Sequence, residues 1–184
     1  MAKAVLQVRA QLRGVDPVVW RRLLVPGTAG LDKLDRMVQA AMGWTNSHLH
    51  CFRVGPRTYG PVLEELVDDD LVDADERELS VEEAFNEQRR LVYEYDFGDS
   101  WEHDIVLEDR LSAGVGLKFA VCTAGENACP PEDCGGPHGY RQMLKCLADP
   151  DDEERQSYLD WLDKPFDPSA FSLAEANAAL QRLR

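Results

Sequence analysis

Between Leu91 and Leu107 the chain reads LVYEYDFGDSWEHDIVL, two alternating runs joined through Gly98-Asp99-Ser100. Alternation puts one set of side chains on each face of a strand, so a slip of one residue turns every side chain over. A two-residue Gly98-Asp99 loop would pair Tyr95 with Glu102 and Asp96 with Trp101, mixing the faces. An odd loop centred on Asp99 instead pairs Phe97 with Trp101, Tyr95 with His103, Tyr93 with Ile105 and Leu91 with Leu107. One face is then aromatic and aliphatic. The other is acidic, with Glu94 and Asp96 opposite Asp104 and Glu102. Such a face needs positive neighbours. Arg9 and Arg13 are placed to supply them if their strand joins the same sheet, and a bound cation is the alternative. His103 falls on the aromatic face, where it is either a hydrogen-bonded core residue or a ligand.

The flanking segments define the rest of the fold. Leu6, Val8, Ala10 and Leu12 alternate with polar residues, and Val18–Val25 reads as the returning strand after a turn at Gly14–Pro17. From this alternation a strand, and not a signal peptide, is expected at the N-terminus. Leu31, Leu34, Val38 and Met42 recur at helical spacing and stop at Gly43. A strand is expected at HLHCFRV. Residues 60–79 read as acidic and irregular, with Asp68-Asp69-Asp70 a solvated loop, and a capping box opens a short helix at Ser80. Three helices follow the cysteine-rich segment. The first carries Tyr140, Met143, Leu144 and Leu147. The second has Asp151–Glu154 on its first turn and buries Tyr158, Leu159, Trp161 and Leu162. The third is capped by Ser172 and buries Leu173, Ala176, Leu180 and Leu183. The pattern predicts one α+β domain over residues 1–184. Its antiparallel sheet contains N-terminal strands and a central hairpin and is packed by helices, with a helical C-terminal third.

No run approaches the roughly 18 apolar residues of a membrane span, and five cysteines are an odd number for a disulfide framework. A cytoplasmic protein with reduced thiols or metal ligands is expected. Charge is unevenly distributed within the total of −14. Residues 1–57 carry a net of +6 and residues 58–184 a net of −20. An acidic protein is a poor non-specific binder of nucleic acid. The basic N-terminal third, with Arg21 and Arg22, still allows a local patch unless those arginines neutralise acids within the same fold.

VCTAGENACPPEDCGGPHGY, from Val121 to Tyr140, concentrates Cys122, Cys129, Cys134 and His138 among prolines and glycines. From Cys122 to Pro137 it reads as loop. The spacing C-x6-C-x4-C-x3-H departs from the close ligand pairs of structural zinc sites. Distant ligands could complete a site: His48 and His50, on one face of a strand if extended, and His103. The alternative is a rigid corner, fixed by Pro130-Pro131 and freed at Gly135-Gly136.

Val19-Trp20-Arg21-Arg22, Gly43-Trp44 with His48–Phe52, Tyr95–His103, Ala128–Gly136 and Phe166-Asp167-Pro168 with Phe171 together resemble the plasmid pRiA4b ORF-3-like family, from about residue 3 to 183. The resemblance implies a compact α+β domain of bacterial chromosomes, plasmids and insertion elements, without an established activity. His138 stands where the family pattern has an aromatic, which argues against it as an essential ligand.

Three functions follow as expectations. The first is a binding or accessory module for a protein partner, its site formed by the FGDSWEH hairpin tip and the ACPPEDCGG loop through Asp96, Asp99, Trp101, Glu102, His103, Glu132 and Asp133. The second is a zinc-dependent hydrolase-like enzyme using Asp99, Glu102, His103, Glu132 and Asp133 as acid–base groups. Against it, no Ser/His/Asp order, phosphate loop or HExxH motif is present. The third is a nucleic-acid-binding accessory protein of mobile elements, using Arg21 and Arg22.

Overall fold

The computed structural model describes residues 4–62, 72–86, 88–111, 117–162 and 164–183. The Asp68–Asp70 run lies outside the described residues. Among the described residues, eight strands form one sheet: β1 Val5–Leu12, β2 Trp20–Pro26, β3 His50–Val54, β4 Arg57–Gly60, β5 Ala74–Asp75, β6 Arg90–Tyr95, β7 Trp101–Leu111 and β8 Val121–Glu126. Their order is β5-β4-β3-β6-β7-β1-β2-β8. The pairs are antiparallel except β4 with β5. The helices are α1 Leu31–Met42, α2 Val81–Ala84, α3 Gly136–Ala148, α4 Arg155–Trp161 and α5 Leu173–Gln181. This is the expected α+β architecture with a helical C-terminal third. No described helix is long and apolar enough to cross a membrane.

Alternation decides which face is buried. Leu6, Val8, Ala10 and Leu12 of β1 join Leu91, Tyr93 and Tyr95 of β6 and Trp101, Ile105 and Leu107 of β7 in a core completed by Leu31, Leu34 and Val38 of α1 and by Ala176 and Leu180 of α5. Trp101, Tyr93, Tyr95, Tyr140 and Phe52 are its largest fully buried side chains. Burying one such side chain contributes ~1.5–3 kcal/mol, so the hairpin is a large part of the fold's driving force. Gly43 ends α1 at φ 98°, a left-handed conformation that costs glycine nothing. Ser80 and Glu83 form the expected capping box on α2.

The opposite sheet face is a ladder of arginines and carboxylates. Arg13 donates to Glu102 at 2.6 Å and to Asp104 at 2.6 and 3.1 Å. Arg53 bridges Glu94 and Glu102, Arg90 reaches Asp104 at 3.0 Å and Arg22 reaches Glu108 at 2.5 Å. These bonds hold Glu102, Asp104 and Glu108 below the usual carboxylate range, although burial opposes the shift. The hairpin's acidic face is therefore neutralised from within the sheet. Arg9 lies over the Trp20 ring at 4.5 Å.

The hairpin differs from its expected register. Tyr95 pairs with Trp101, Tyr93 with His103, Leu91 with Ile105 and Glu94 with Glu102. The faces are as expected because the loop is odd, but it is centred on Gly98 and runs from Asp96 to Ser100. Asp96 and Ser100 take positive φ, 58° and 53°. Ser100 N–H donates to the Asp96 carbonyl at 2.6 Å, and the Asp96 side chain accepts from Gly98 N–H at 3.0 Å. Asp96 thus leaves the strand to close the turn, as Asp readily does. Phe97 is left 38% exposed instead of pairing with Trp101.

Two further expectations are corrected. Cys122 to Glu126 is strand, not loop, because that stretch contains no proline and pairs with β2 across a bulge at Arg22/Leu23. α4 starts at Arg155, after its acidic run; Tyr158 and Leu162 pack half-buried against the core, and none of the helix's residues is fully buried. Trp161 is 45% exposed, and Leu173 at the start of α5 and Leu183 just beyond its end are exposed as well.

Candidate functional site at the hairpin tip and the cysteine-proline loop

The segment after β8 returns across the end of the sheet and is fastened there by three side chains. Trp44 Nε1 donates to the Pro130 carbonyl at 2.9 Å, and its ring stacks on Tyr95 at 4.9 Å. The Tyr95 hydroxyl donates to Glu132 Oε1 at 2.5 Å. Glu132 Oε2 accepts from the Thr45 amide at 3.1 Å and its hydroxyl at 2.6 Å. Burial and the Glu132 carboxylate raise the Tyr95 phenol well above its ordinary pKa. The hairpin tip closes the arrangement: Asp99 Oδ2 accepts from Gly135 N–H at 3.1 Å. Asp133 has φ 60°, and Gly135 and Gly136, at 88° and 66°, turn the chain into α3.

The tip and the loop are therefore adjacent, and His48 joins them. Its Nε2 lies 3.2 Å from Asp133 Oδ1 and 3.6 Å from Asp96 Oδ2. On the far side of Asp133 an open cleft of about 430 Å³ is lined by Asp133, Cys134 and Gly135 against Glu154, Ser157, Tyr158 and Trp161.

Other residues singled out from sequence lie elsewhere. Trp101 is in the core and offers nothing to solvent. His103 is fully buried, its Nδ1 at 3.1 Å from the Trp101 carbonyl. Burial lowers its pKa to about 4, so it is neutral at pH 7 and is a core histidine. Glu102 belongs to the arginine ladder on the open sheet face. Cys122 is buried on β8. Cys129 and Cys134 pack against the core, and burial pushes the Cys134 thiol up to about 12. All five cysteines are free. Among the described residues, the groups of three or more metal-ligating side chains whose donor atoms lie within 4.8 Å of one another are His48–Asp96–Asp133 and Cys146–Asp152–Glu154. The set Cys122, Cys129, Cys134 and His103 does not converge.

His48 and His50 also do not share a face, because β3 begins only at His50. His50 points the other way, with Nε2 at 2.7 Å from Glu76 and Nδ1 at 3.4 Å from Asp35. Burial disfavours its charge, but the two carboxylates outweigh this and raise its pKa. Asp35, raised by burial, accepts from Tyr93 at 2.6 Å and Gln39 at 2.7 Å. This buried cluster floors a second cleft of about 370 Å³ whose wall includes His48. Sequence reasoning missed Asp35 and Glu76. The available signal was Asp35 and Gln39, polar residues at core-facing positions of the α1 stripe. Glu76, within an acidic run, had none.

Arg21 is 3% exposed. Its guanidinium donates to the carbonyls of Trp20, Ala41, Glu126 and Asn127 at 2.8–2.9 Å and lies over Phe171 at 4.3 Å. It clamps β8 and the C-terminal loop to the sheet, while Arg22 is committed to Glu108. Neither is a free cation for nucleic acid.

An α+β protein with one helix-covered sheet face and a loop-built site at the sheet's end is the class that fold and geometry define. The chain belongs to the family described as plasmid pRiA4b ORF-3-like protein, whose model matches residues 4–175. It is 38% identical to the uncharacterized protein y4hQ of Sinorhizobium fredii (strain NBRC 101917 / NGR234), over all of this chain and 94% of that protein. It is also similar to a crystal structure of a protein of unknown function, MM3350 from Methanosarcina mazei Go1. That match has a TM-score of 0.83 and 32% identity and covers 95% of this chain and 97% of the other.

Proposed function

We propose that this protein is an accessory module that binds a basic segment of a protein partner in the cleft between the Asp133–Gly135 loop and α4. The observation that carries the reading is Trp161: it is 45% exposed on a helix that fully buries none of its residues, and it lines the cleft with Asp133 and Cys134. Exposed tryptophans are strongly enriched among residues that dominate interfaces. Asp133 and Glu154 on the cleft wall, within a chain of net charge −14, favour Lys- or Arg-bearing ligands electrostatically. The hairpin tip contributes position, holding the loop through Asp99.

A peptide array probed with the purified protein tests this. Basic peptides carrying an apolar anchor are expected to be retained, with retention lost on Trp161→Ala and on Glu154→Lys while the far-ultraviolet circular dichroism is unchanged. Equal retention of acidic and basic peptides, or binding indifferent to both variants, would overturn it.

A further inference from the structure

We propose that His48, Asp96 and Asp133 form a binding site for one divalent transition-metal ion, with zinc the best matched. This goes beyond the docking cleft, with which it shares only Asp133.

The donor spacing supports the site. Metal bonds of about 2.0–2.2 Å at tetrahedral or octahedral angles set neighbouring donor atoms roughly 2.8–3.6 Å apart. His48 Nε2 lies 3.2 Å from Asp133 Oδ1 and 3.6 Å from Asp96 Oδ2, and the three donors fall within 4.8 Å of one another. A hydrogen bond from the imidazole would have to be aligned as well as close, within about 2.7–3.2 Å. His48 Nε2 is instead a buried atom without a hydrogen-bond partner. It lies within ion-pair distance of two carboxylates and is hydrogen-bonded to neither.

Each ligand is also held in place. Asp96 Oδ1 is occupied by Gly98 N–H at 3.0 Å, leaving Oδ2 for the ion, the kind of outer hydrogen bond that fixes ligating carboxylates. The His48 ring packs edge-on against Tyr95 at 5.7 Å. Asp133 follows Glu132, which Tyr95 and Thr45 anchor, and its 69% exposed side chain gives an entering ion a path from solvent. One imidazole and two carboxylates neutralise a dication and suit zinc or manganese better than magnesium, which prefers oxygen ligands alone. Three protein ligands leave a coordination position for water or for a ligand carboxylate.

Calorimetric titration of metal-free protein with Zn²⁺ is expected to give one site per chain. His48→Ala, Asp96→Asn and Asp133→Asn should each weaken it roughly tenfold or more, as loss of a coordinating group demands. Asp133→Asn, at an exposed position, keeps the comparison valid if the other variants fold poorly. Trp161→Ala should leave zinc affinity unchanged, which separates this site from the docking reading. Substitution with Co²⁺ should give visible ligand-field bands without a thiolate charge-transfer band. No zinc binding, zinc binding lost on Cys146→Ser or Cys129→Ser but retained in Asp133→Asn, or a thiolate band with Co²⁺ would each overturn the proposal.

Discussion

The Tyr95 hydroxyl donates to Glu132 Oε1 at 2.5 Å, tying the central hairpin of the sheet to a loop nearly forty residues further along the chain. Tyr95 is itself fully buried and fixed by its place in β6. Glu132 is held on its other oxygen by Thr45. The loop is therefore positioned by the core, and Asp133 inherits that position.

Glu132→Ala should free the loop. It leaves the Tyr95 hydroxyl and the Thr45 amide without their acceptor, at a cost of about 1–3 kcal/mol. Urea unfolding should place Glu132→Ala below Tyr95→Phe in stability, because the latter removes one of Glu132's three bonds and the Ser47 N–H donation to the Tyr95 hydroxyl but leaves both Thr45 bonds to Glu132 in place. Equal stabilities would mean that Glu132 does not anchor the loop.

Gly136→Ala tests the junction of hairpin tip and helix. Gly136 has φ 66°, and an added Cβ would meet the Asp99 carbonyl oxygen. Strain and displacement together should cost roughly 2 kcal/mol or more. Proteolysis at the Asp96–Ser100 loop should accelerate in the variant, and unchanged protection would argue against this docking.

His103 should make the protein acid-sensitive above the range of its carboxylates. Its folded pKa is depressed by burial to about 4 against an unfolded value of about 6.5. The unfolded chain therefore binds the proton first as pH falls. Stability from this group is complete above about pH 6.5 and is lost progressively toward about pH 4, by roughly 3 kcal/mol. Chemical denaturation across this interval should show a smaller slope for His103→Gln than for the native sequence. Parallel curves would remove His103 as the cause.

Arg21→Lys should be far from conservative. A lysine cannot reproduce a planar fork donating to four carbonyls, so buried acceptors lose their partners at about 2–4 kcal/mol in all. Thermal unfolding should show the loss, whereas Arg22→Lys, on the partly exposed ladder, should cost about 1 kcal/mol or less. The same geometry makes Arg21→Glu a folding defect as well.

Much of the fold was legible because it depends on local period and caps. β1, α1 with Gly43 and α2 with its capping box follow from side-chain spacing alone. The hairpin's faces followed from parity, yet its register did not. The choice between centring the loop on Asp99 or on Gly98 depends on whether Asp96 turns inward to bond Gly98, and both choices preserve the faces. α4 read as a buried helix because its apolar residues imply a face to cover. Nothing in the sequence says whether the fold supplies that cover, and it leaves Trp161 exposed.

The candidate site was partly legible. Asp96, Asp99, Glu132 and Asp133 could be singled out because they lie on two unusual turn-forming segments. Residue types and spacing by themselves determined an α+β chain, an acidic hairpin face requiring arginines, and a proline-ordered loop. Only the tertiary structure separated His48 from His50, buried His103 and Arg21, and set Asp133 beside His48. Those outcomes depend on which donors and acceptors meet across the sheet's end, and chain spacing carries no record of such long-range pairings.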